Sequence, residues 1–211
     1  MNKKSFTENS YNKAADAYWE KVETVDQYNT WYDAFLELLP QNANILELGC
    51  GPGNVTQYVL NKRPDLHITG TDLASKMLAL AKKNNPDAEF FKLDCREITT
   101  LNQKFDAIVG AFVMPYLNLE ESAKLILDCA SLLNSNGTLF ISTMEGDYNQ
   151  SGFENTTFSG DDKVYIHYHQ AAAIKQNLKR NGFEIVHFIK QACPEPDGRI
   201  FTDMIVVARK I

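Results

Sequence analysis

Residues 45–54 read ILELGCGPGN, an apolar run that ends in three glycines at alternate positions. Gly49, Gly51 and Gly53 follow Glu47, the acidic residue within the run. Glycine lacks a Cβ atom and tolerates backbone conformations that other residues avoid, so this spacing predicts a turn where a ligand approaches the backbone closely. The chemistry to expect is therefore ligand binding at the end of a strand, with a carboxylate nearby.

Two further acidic residues have the spacing of a nucleoside site. Asp72 lies 19 residues beyond Gly53, where its carboxylate can accept hydrogen bonds from two ribose hydroxyls. Asp94 follows the next apolar run and can accept a hydrogen bond from an adenine amino group. Ribose and adenine occur both in nicotinamide dinucleotides and in S-adenosylmethionine, so these two acids alone leave both ligands open.

The glycine spacing separates the two ligands. The dinucleotide pattern GxGxxG, counted from Gly49, requires a glycine at position 54, where the chain has Asn54. The third glycine is Gly53 instead, and Glu47 stands two residues ahead of the first glycine, where S-adenosylmethionine sites have an acid. A P-loop is excluded because no GK[ST] follows. The pattern favours S-adenosylmethionine.

Alternating strand and helix patterns position these residues. The apolar runs predict five strands, at residues 44–48, 67–72, 89–93, 105–113 and 138–143. Helical patterns follow the first, second and fourth of them, and Asn118 with Glu121 forms a capping-box pattern at the start of the last of these helices. This βαβαβ order predicts a parallel sheet with right-handed crossovers, helices on both faces, and ligands beyond the carboxyl ends of the strands.

The two ends of the chain differ from this central pattern. Residues 1–41 contain two aromatic-rich helical patterns, which predict helices that cover the core. The last third predicts a helix and then two strands, at 183–190 and 202–210, that are antiparallel if they pair as neighbours. The predicted fold class is therefore α/β, a doubly wound, mostly parallel seven-stranded sheet with a C-terminal antiparallel hairpin and N-terminal covering helices.

Length and composition limit the domain organisation and the partners. The 211 residues suffice for one sizeable α/β core, so we expect a single domain over 1–211. Within it we expect a helical cap at 1–41, a cofactor-binding core at 42–145 and an acceptor-side region at 146–211. The formal net charge of −6 disfavours nucleic acid as a partner, and no apolar run approaches the about 20 residues of a membrane span.

The cysteines and the first residues bear on the compartment. The four cysteines lack CxxC spacing, and the first ten residues, MNKKSFTENS, lack the apolar segment of a secretory signal. The histidines form no HExxH pattern. We therefore expect reduced thiols, no metal site and a cytoplasmic protein.

Four motifs in register resemble the class I S-adenosylmethionine-dependent methyltransferases, especially their small-molecule branch. They are ILELGCGPG, GTDLASKML, FKLDCREI and FDAIVGAFVMPYL, and they span about residues 43–145. The closing segments GFEIV and TDMIVVARK are similar by architecture. The resemblance implies a seven-stranded Rossmann-like fold, S-adenosylmethionine as cofactor and methyl transfer as the activity, with the glycine turn at the methionine end of the cofactor.

The resemblance also implies a set of cofactor-binding residues. By position these are Glu47, Gly49, Gly51 and Gly53 at the glycine turn, Asp72 at the ribose, Leu73 at the adenine ring, Asp94 and Cys95 at the adenine amino group, Ala111 and Phe112 at the ammonium group, and Tyr11 and Tyr18 on the N-terminal helix. The two tyrosines match a Y…A…Y helix that in this family often closes over the cofactor.

Methyl transfer from a sulfonium needs an in-line nucleophile near ~3 Å and a dry site, while a general base is optional. The candidate catalytic residues share a position on the acceptor side: Tyr116, His167, His169, Glu145 and Tyr148. His169 is the first choice, because residues 164–170 fall where members of the family build the acceptor pocket. Tyr116 stands where many of them have a histidine.

The acceptor is not identified by any motif. Residues 145–161 form a long polar stretch, typical of either a lid or a mobile surface loop. We expect a small-molecule acceptor with an O, N or C nucleophile, and no oligomeric state is indicated. Two alternatives remain at this stage: a non-catalytic module that binds S-adenosylmethionine or S-adenosylhomocysteine, and an NAD-dependent oxidoreductase.

Overall fold

The computed structural model describes residues 3–23, 25–154, 162–194 and 198–211. Its α-helices are α1 (Lys3–Val22), α2 (Asn29–Leu36), α3 (Asn54–Lys62), α4 (Ser75–Asn84), α5 (Leu119–Leu132) and α6 (Ala171–Arg180). Its strands are β1 (Asn44–Leu48), β2 (His67–Asp72), β3 (Glu89–Lys92), β4 (Phe105–Gly110), β5 (Leu133–Glu145), β6 (Gly152–Glu154), β7 (Val164–Ile166), β8 (Phe183–Pro194) and β9 (Ile200–Lys210). Short 3-10 helices span Cys95–Leu101, Met114–Tyr116 and Tyr148–Gln150.

Seven strands form one sheet in the order β3-β2-β1-β4-β5-β9-β8. The first five are parallel to one another, whereas β9 pairs antiparallel with both β5 and β8. The predicted fold class is confirmed, including the C-terminal antiparallel hairpin. The hairpin is inserted in reverse order, so that β9 and not β8 lies against β5, a detail that the sequence pattern did not predict.

The strand order reverses beside β1. Strand β1 pairs with β2 on one side and with β4 on the other, so successive crossovers leave the sheet in opposite directions. In doubly wound sheets a crevice opens at this point, beyond the carboxyl ends of the strands. The glycine turn at residues 49–53 leaves β1 directly into that crevice.

Two predicted strands have different ends in the structure. The run at 105–113 predicted a longer β4, but the strand ends at Gly110 and the chain turns, with Phe112 at a φ of 53°. Strand β5 begins at Leu133 and not at 138, because Leu133 already pairs with Phe105 of β4. Between Leu133 and residue 138, Asn136 has a φ of 63°. The spacing of apolar residues in the sequence does not reveal either irregularity.

Apolar residues on both faces of the sheet form the core. One face packs against α2 and α3, with Phe140, Ile205 and Val207 buried there. The opposite face packs against α5 and α6, with Leu139 and Val206 buried there. Alternate residues of β5 and β9 thus face opposite layers, as expected for a sheet covered on both sides.

Helix α1 lies apart from these layers, across the end of the sheet. It packs on α4, where Ala15 meets Ala74 and Met77, and it also contacts β7. Strands β6 and β7 form a small separate sheet. The predicted polar loop at 145–161 thus contains a 3-10 turn and β6 up to residue 154, and its remainder lies outside the described residues. In the described part of the chain, no helix has the length and apolarity to cross a membrane.

Candidate active site

The three glycines of the turn after β1 all have positive φ angles, at 60°, 53° and 82° for Gly49, Gly51 and Gly53. A Cβ atom on Gly53 would lie 2.4 Å from Nδ2 of Asn85, so this glycine allows the turn to pack tightly on α4. A Cβ atom on Gly51 would meet its first neighbour, Cε1 of Tyr18, only at 3.9 Å. The turn is therefore packed on one side and open towards α1 on the other.

Asp72 braces the open side of the turn. Its Oδ2 accepts a hydrogen bond from the Gly51 amide at 3.0 Å, and its Oδ1 accepts one from the Ala74 amide at 2.8 Å. Burial raises the pKa of the Asp72 carboxyl, against the effect of these amides. The carboxyl group thus lies at the end of β2, where ribose binding was predicted, with the half-buried Leu73 beside it.

Glu47 lies beneath the turn and is only 3% exposed. It accepts a short hydrogen bond from Oγ1 of Thr56, in the first turn of α3. Burial raises the pKa of Glu47 to about 7, although the Thr56 bond acts in the opposite direction. Glu47 therefore fixes the start of α3, directly after the turn, while Asp72 holds the turn itself.

Asp94 follows β3 and forms an ion pair that the sequence analysis missed. The carboxyl group is 4% exposed, and its Oδ1 accepts hydrogen bonds from the backbone and from Nη1 of Arg96, both at 3.0 Å. The neighbouring Cys95 is buried, which raises the pKa of its thiol to about 12. Asp94 thus has a fixed orientation that Arg96 sets.

The turn after β4 brings Ala111 and Phe112 to the same edge of the sheet. Phe112 adopts a left-handed backbone conformation that is rare for a bulky residue, and its amide donates to Oγ of Ser142 at 2.9 Å. Its ring packs on Tyr28 with centroids 5.1 Å apart. Strained backbone of this kind concentrates at functional sites, which motivates a role for this turn.

Three tyrosines form a contiguous set of contacts, of which Tyr18 faces Gly51 of the glycine turn. The ring of Tyr11 lies 5.7 Å from that of Tyr18 and 5.6 Å from that of Tyr116, in edge-to-face geometry. The hydroxyl groups of Tyr11 and Tyr116 share a short hydrogen bond. Burial raises the pKa of Tyr18 and of Tyr116 well above the usual range, with the Asp72 charge adding to both. The predicted cofactor-side and acceptor-side tyrosines are therefore in contact with each other.

The two predicted histidines lie on the acceptor side but contact different groups. His169 is 1% exposed, and its Nε2 lies 3.0 Å from the carbonyl oxygen of Met114. Burial lowers its pKa, so the ring is neutral near pH 7. His167 is also buried, and its ring packs against Tyr148 and Tyr165 with centroids 5.7 and 4.7 Å away. The two rings thus have different protein neighbours.

Other groups at this edge complete the acceptor side. The remaining candidate, Glu145, accepts a hydrogen bond from Nζ of Lys190 at 2.5 Å. Asp203, which the sequence analysis missed, is buried on β9 and accepts from Oη of Tyr28 at 2.6 Å and from Sγ of Cys193 at 2.9 Å. No group of three or more metal-ligating side chains occurs among the described residues.

Residues 45–137 match the family model described as a methyltransferase domain. This segment of the chain, less than half of its length, is similar to a methyltransferase domain. The match includes the glycine turn, Asp72, Asp94 and the turn after β4, whereas the tyrosines of α1 and the two acceptor-side histidines lie outside it.

Curated relatives are methyltransferases that the chain matches in part. Demethylmenaquinone methyltransferase of Thermotoga maritima is 34% identical over 109 residues, which are 52% of this chain and 46% of that protein. Malonyl-[acyl-carrier protein] O-methyltransferase of Acetivibrio thermocellus is 31% identical over 129 residues, 53% of this chain and 44% of that protein. The matched region thus covers less than half the length of either relative.

A solved structure with the same fold extends over the whole chain. Magnesium protoporphyrin IX methyltransferase from Synechocystis PCC 6803 with bound S-adenosylmethionine has a TM-score of 0.73 at 17% identity, and covers 100% of this chain and 98% of that one. The matched residues and the elements that flank them therefore have the same Rossmann-like fold as this S-adenosylmethionine-dependent methyltransferase.

Proposed function

We propose that the protein transfers a methyl group from S-adenosylmethionine to a small-molecule acceptor. The observation that supports this most directly is the pair of carboxyl groups at the glycine turn, Glu47 beneath it and Asp72 beside it. Asp72 suits the ribose of either ligand, but a pyrophosphate at this turn, as in a dinucleotide, would also meet the second carboxyl group, that of Glu47, and be repelled by its ionised form. The methionine end of S-adenosylmethionine has an ammonium and a sulfonium charge, which carboxylates attract. This argument disfavours the NAD-dependent alternative.

The residues around the turn fit this cofactor. The open side of Gly51 gives the methionine end access to the backbone, since a Cβ atom there would be in loose contact only with Tyr18. The proposed contacts are Glu47 and Gly53 supporting the turn, Gly49 and Gly51 at the methionine moiety, Asp72 at the ribose, Leu73 at the adenine ring, Asp94 and the Cys95 amide at the adenine amino group, the Ala111 carbonyl with Phe112 at the ammonium group, and Tyr11 and Tyr18 over the site.

The chain's own residues would mainly bind, orient and exclude water. When bound, S-adenosylmethionine supplies a methyl group that is already activated on a sulfonium. We infer that Tyr11 and Tyr18 close the site, and that Tyr116 orients the acceptor. Because the pKa of Tyr116 is raised, its hydroxyl stays protonated and serves as a hydrogen-bonding group and not as a base.

His169, the first choice as a base, is better explained as a positioning residue. Its buried ring is hydrogen-bonded to the backbone of the turn that ends in Tyr116, so it fixes that turn. His167 keeps the proposed acceptor-side role, packed between Tyr148 and Tyr165. We therefore propose transfer by proximity and desolvation, to an acceptor that arrives as a competent nucleophile.

The names of the relatives support a small-molecule or carrier-bound acceptor, with an O, N or C nucleophile. The chain has a net charge of −6, which supports a role without nucleic acid. The described cysteines are all free, which supports the cytoplasm as the compartment. We also propose that residues 1–211 act as one catalytic unit, because α1, the central strands and β9 meet at the same edge of the sheet.

Calorimetric titration of the protein with S-adenosylmethionine, S-adenosylhomocysteine and NAD tests the cofactor. We expect the first two to bind, and Asp72→Ala to weaken both by about 30-fold or more, through loss of ribose and loop hydrogen bonds. The matched control is Asp87→Ala, an exposed aspartate in the loop before β3, which should bind as the wild type does. Binding of NAD alone would refute the proposal. Turnover with any acceptor would exclude the non-catalytic alternative.

A further inference from the structure

Arg96 contacts three separate segments with one side chain. Its Nη1 donates to Asp94 at 3.0 Å, its Nε to Oε1 of Glu121 at 2.6 Å, and its Nη2 to the carbonyl oxygen of Tyr116 at 3.1 Å. A guanidinium group presents its donors in a rigid planar fork. These contacts therefore fix the end of β3, the start of α5 and the turn after β4 relative to one another.

The contact between Arg96 and Asp94 lies on the adenine side of the proposed cofactor site. Asp94 is 4% exposed, while the side chain of Arg96 is 24% exposed. A buried carboxylate depends on its donors for both charge compensation and orientation. Arg96 supplies two of them, one from its backbone and one from its side chain.

The contact between Arg96 and Tyr116 connects Arg96 to helix α1. Tyr116 closes the 3-10 turn Met114–Tyr116, and its hydroxyl shares a hydrogen bond with that of Tyr11 on α1. Glu121 connects Arg96 to helix α5 in the same way, because its Oε2 accepts a hydrogen bond from the Asn118 amide in a capping box at the start of α5. A continuous set of hydrogen bonds thus runs from Asp94 through Arg96 and Tyr116 to the helix that covers the site.

We propose that Arg96 is a positioning residue that couples the adenine-side carboxylate Asp94 to the Tyr116–Tyr11 contact on α1. Occupancy of the adenine side then orders the turn after β4 and the covering helix together. The identity of the ligand in this inference rests on the proposed function, but the coupling between Arg96, Tyr116 and α1 does not.

Arg63 offers a matched control for a purely structural role. It forms a two-point ion pair with Asp65, both distances being 2.8 Å, and donates to the backbone carbonyls of Leu36 and Pro40. It is thus a second partly exposed arginine that joins a carboxylate to carbonyl oxygens, on the α2 side of the sheet. Arg63→Gln should loosen its own surroundings and leave the site unchanged.

The first experiment needs no ligand: amide hydrogen exchange of the wild type, Arg96→Gln and Arg63→Gln. We expect Arg96→Gln to raise exchange by about tenfold or more in peptides from α1 and from residues 112–118, because both lose a shared anchor. Arg63→Gln should raise exchange only around residues 36–44. Unchanged exchange of α1 in Arg96→Gln would refute the coupling.

The second experiment adds S-adenosylhomocysteine. We expect the Kd to rise about tenfold in Arg96→Gln and to stay within twofold in Arg63→Gln, and the ligand to protect α1 from exchange in the wild type but not in Arg96→Gln. Arg96→Lys keeps the charge without the fork, so it should recover stability but not the protection of α1. Full recovery of α1 protection in Arg96→Lys, or wild-type affinity for S-adenosylhomocysteine in Arg96→Gln, would refute the proposal.

The two proposals fail in different ways. A wild-type protein that does not bind S-adenosylhomocysteine would refute the proposed function, and the ligand-free exchange would then decide the role of Arg96 alone. If Arg96→Gln fails to fold, Arg96→Lys serves in both experiments, with the same expected loss of α1 protection.

Discussion

The buried carboxyl group of Glu47, next to the glycine turn, changes its ionisation near neutral pH. It lies beneath a turn whose other side faces the proposed cofactor, and its neighbours are Thr56, which donates to it, and the Asp72 charge. Burial disfavours the charged form, so the pKa is raised from 4.5 to about 7. A site for a cationic ligand thus contains a carboxyl group that ionises near neutral pH.

The raised pKa predicts a specific pH dependence of stability. The unfolded chain releases the Glu47 proton at lower pH than the folded chain, so the free energy of unfolding should fall as pH rises from about 5 to about 7, and level off above. Glu47→Gln cannot ionise, so the stability of the wild type relative to this variant should decrease by about 2–3 kcal/mol between pH 5 and pH 8. Urea unfolding of both proteins at the two pH values measures this, and a constant difference would contradict it.

At the residue scale, the sequence predicted the glycine turn and the acidic residues near it, but not the contacts between residues far apart in the chain. Glu47, Asp72 and the glycines could be placed because their spacing alone encodes a turn after a strand. Arg96 and Asp203 could not, because what distinguishes them is partners such as Tyr116 and Tyr28, far along the chain. The base proposed at His169 rested on position in the chain, and position does not reveal the hydrogen bond that its ring makes with the backbone.

At the scale of elements, helix α4 lacks a capping side chain of its own. Its N-cap is Ala74, whose side chain has no oxygen, and the Lys76 amide donates instead to Oδ1 of Asn12 on α1, at 2.9 Å. The predicted capping box of α5, from Asn118 and Glu121, is confirmed. Local sequence therefore predicted the cap within one element, but not the cap that a second element provides.

Because Asn12 caps α4 from α1, its loss should weaken both the helix and the docking of α1. We expect Asn12→Ala to lower the free energy of unfolding by about 0.5–2 kcal/mol. The control Asn9→Ala makes the same change at an exposed position of α1, and should be neutral or slightly stabilising. Thermal and urea unfolding of both variants decides the point, and equal effects would mean that the cap contributes nothing.

At the scale of the molecule, the two ends of the chain meet at the site. Tyr28 lies between α1 and α2, yet its hydroxyl donates to Asp203 on β9, and its ring packs on Phe112 after β4. The seven-strand architecture could be predicted from the order of patterns, since each crossover has a preferred hand. The place of β9 between β5 and β8 could not, because an antiparallel hairpin can insert in either order.

The contact between Tyr28 and Asp203 should therefore contribute to global stability. Asp203 is 5% exposed, so Tyr28→Phe removes a donor from a buried carboxyl group and should lower the free energy of unfolding by about 1–3 kcal/mol. Tyr58→Phe is the matched control, because its hydroxyl also donates to a carboxylate, that of Asp33 at 2.7 Å, but Asp33 is 43% exposed. Water can replace that donor, so the control should change stability by less than about 0.5 kcal/mol. Urea unfolding of the two variants separates the cases, and equal losses would show that burial of Asp203 does not strengthen this link between the chain's ends.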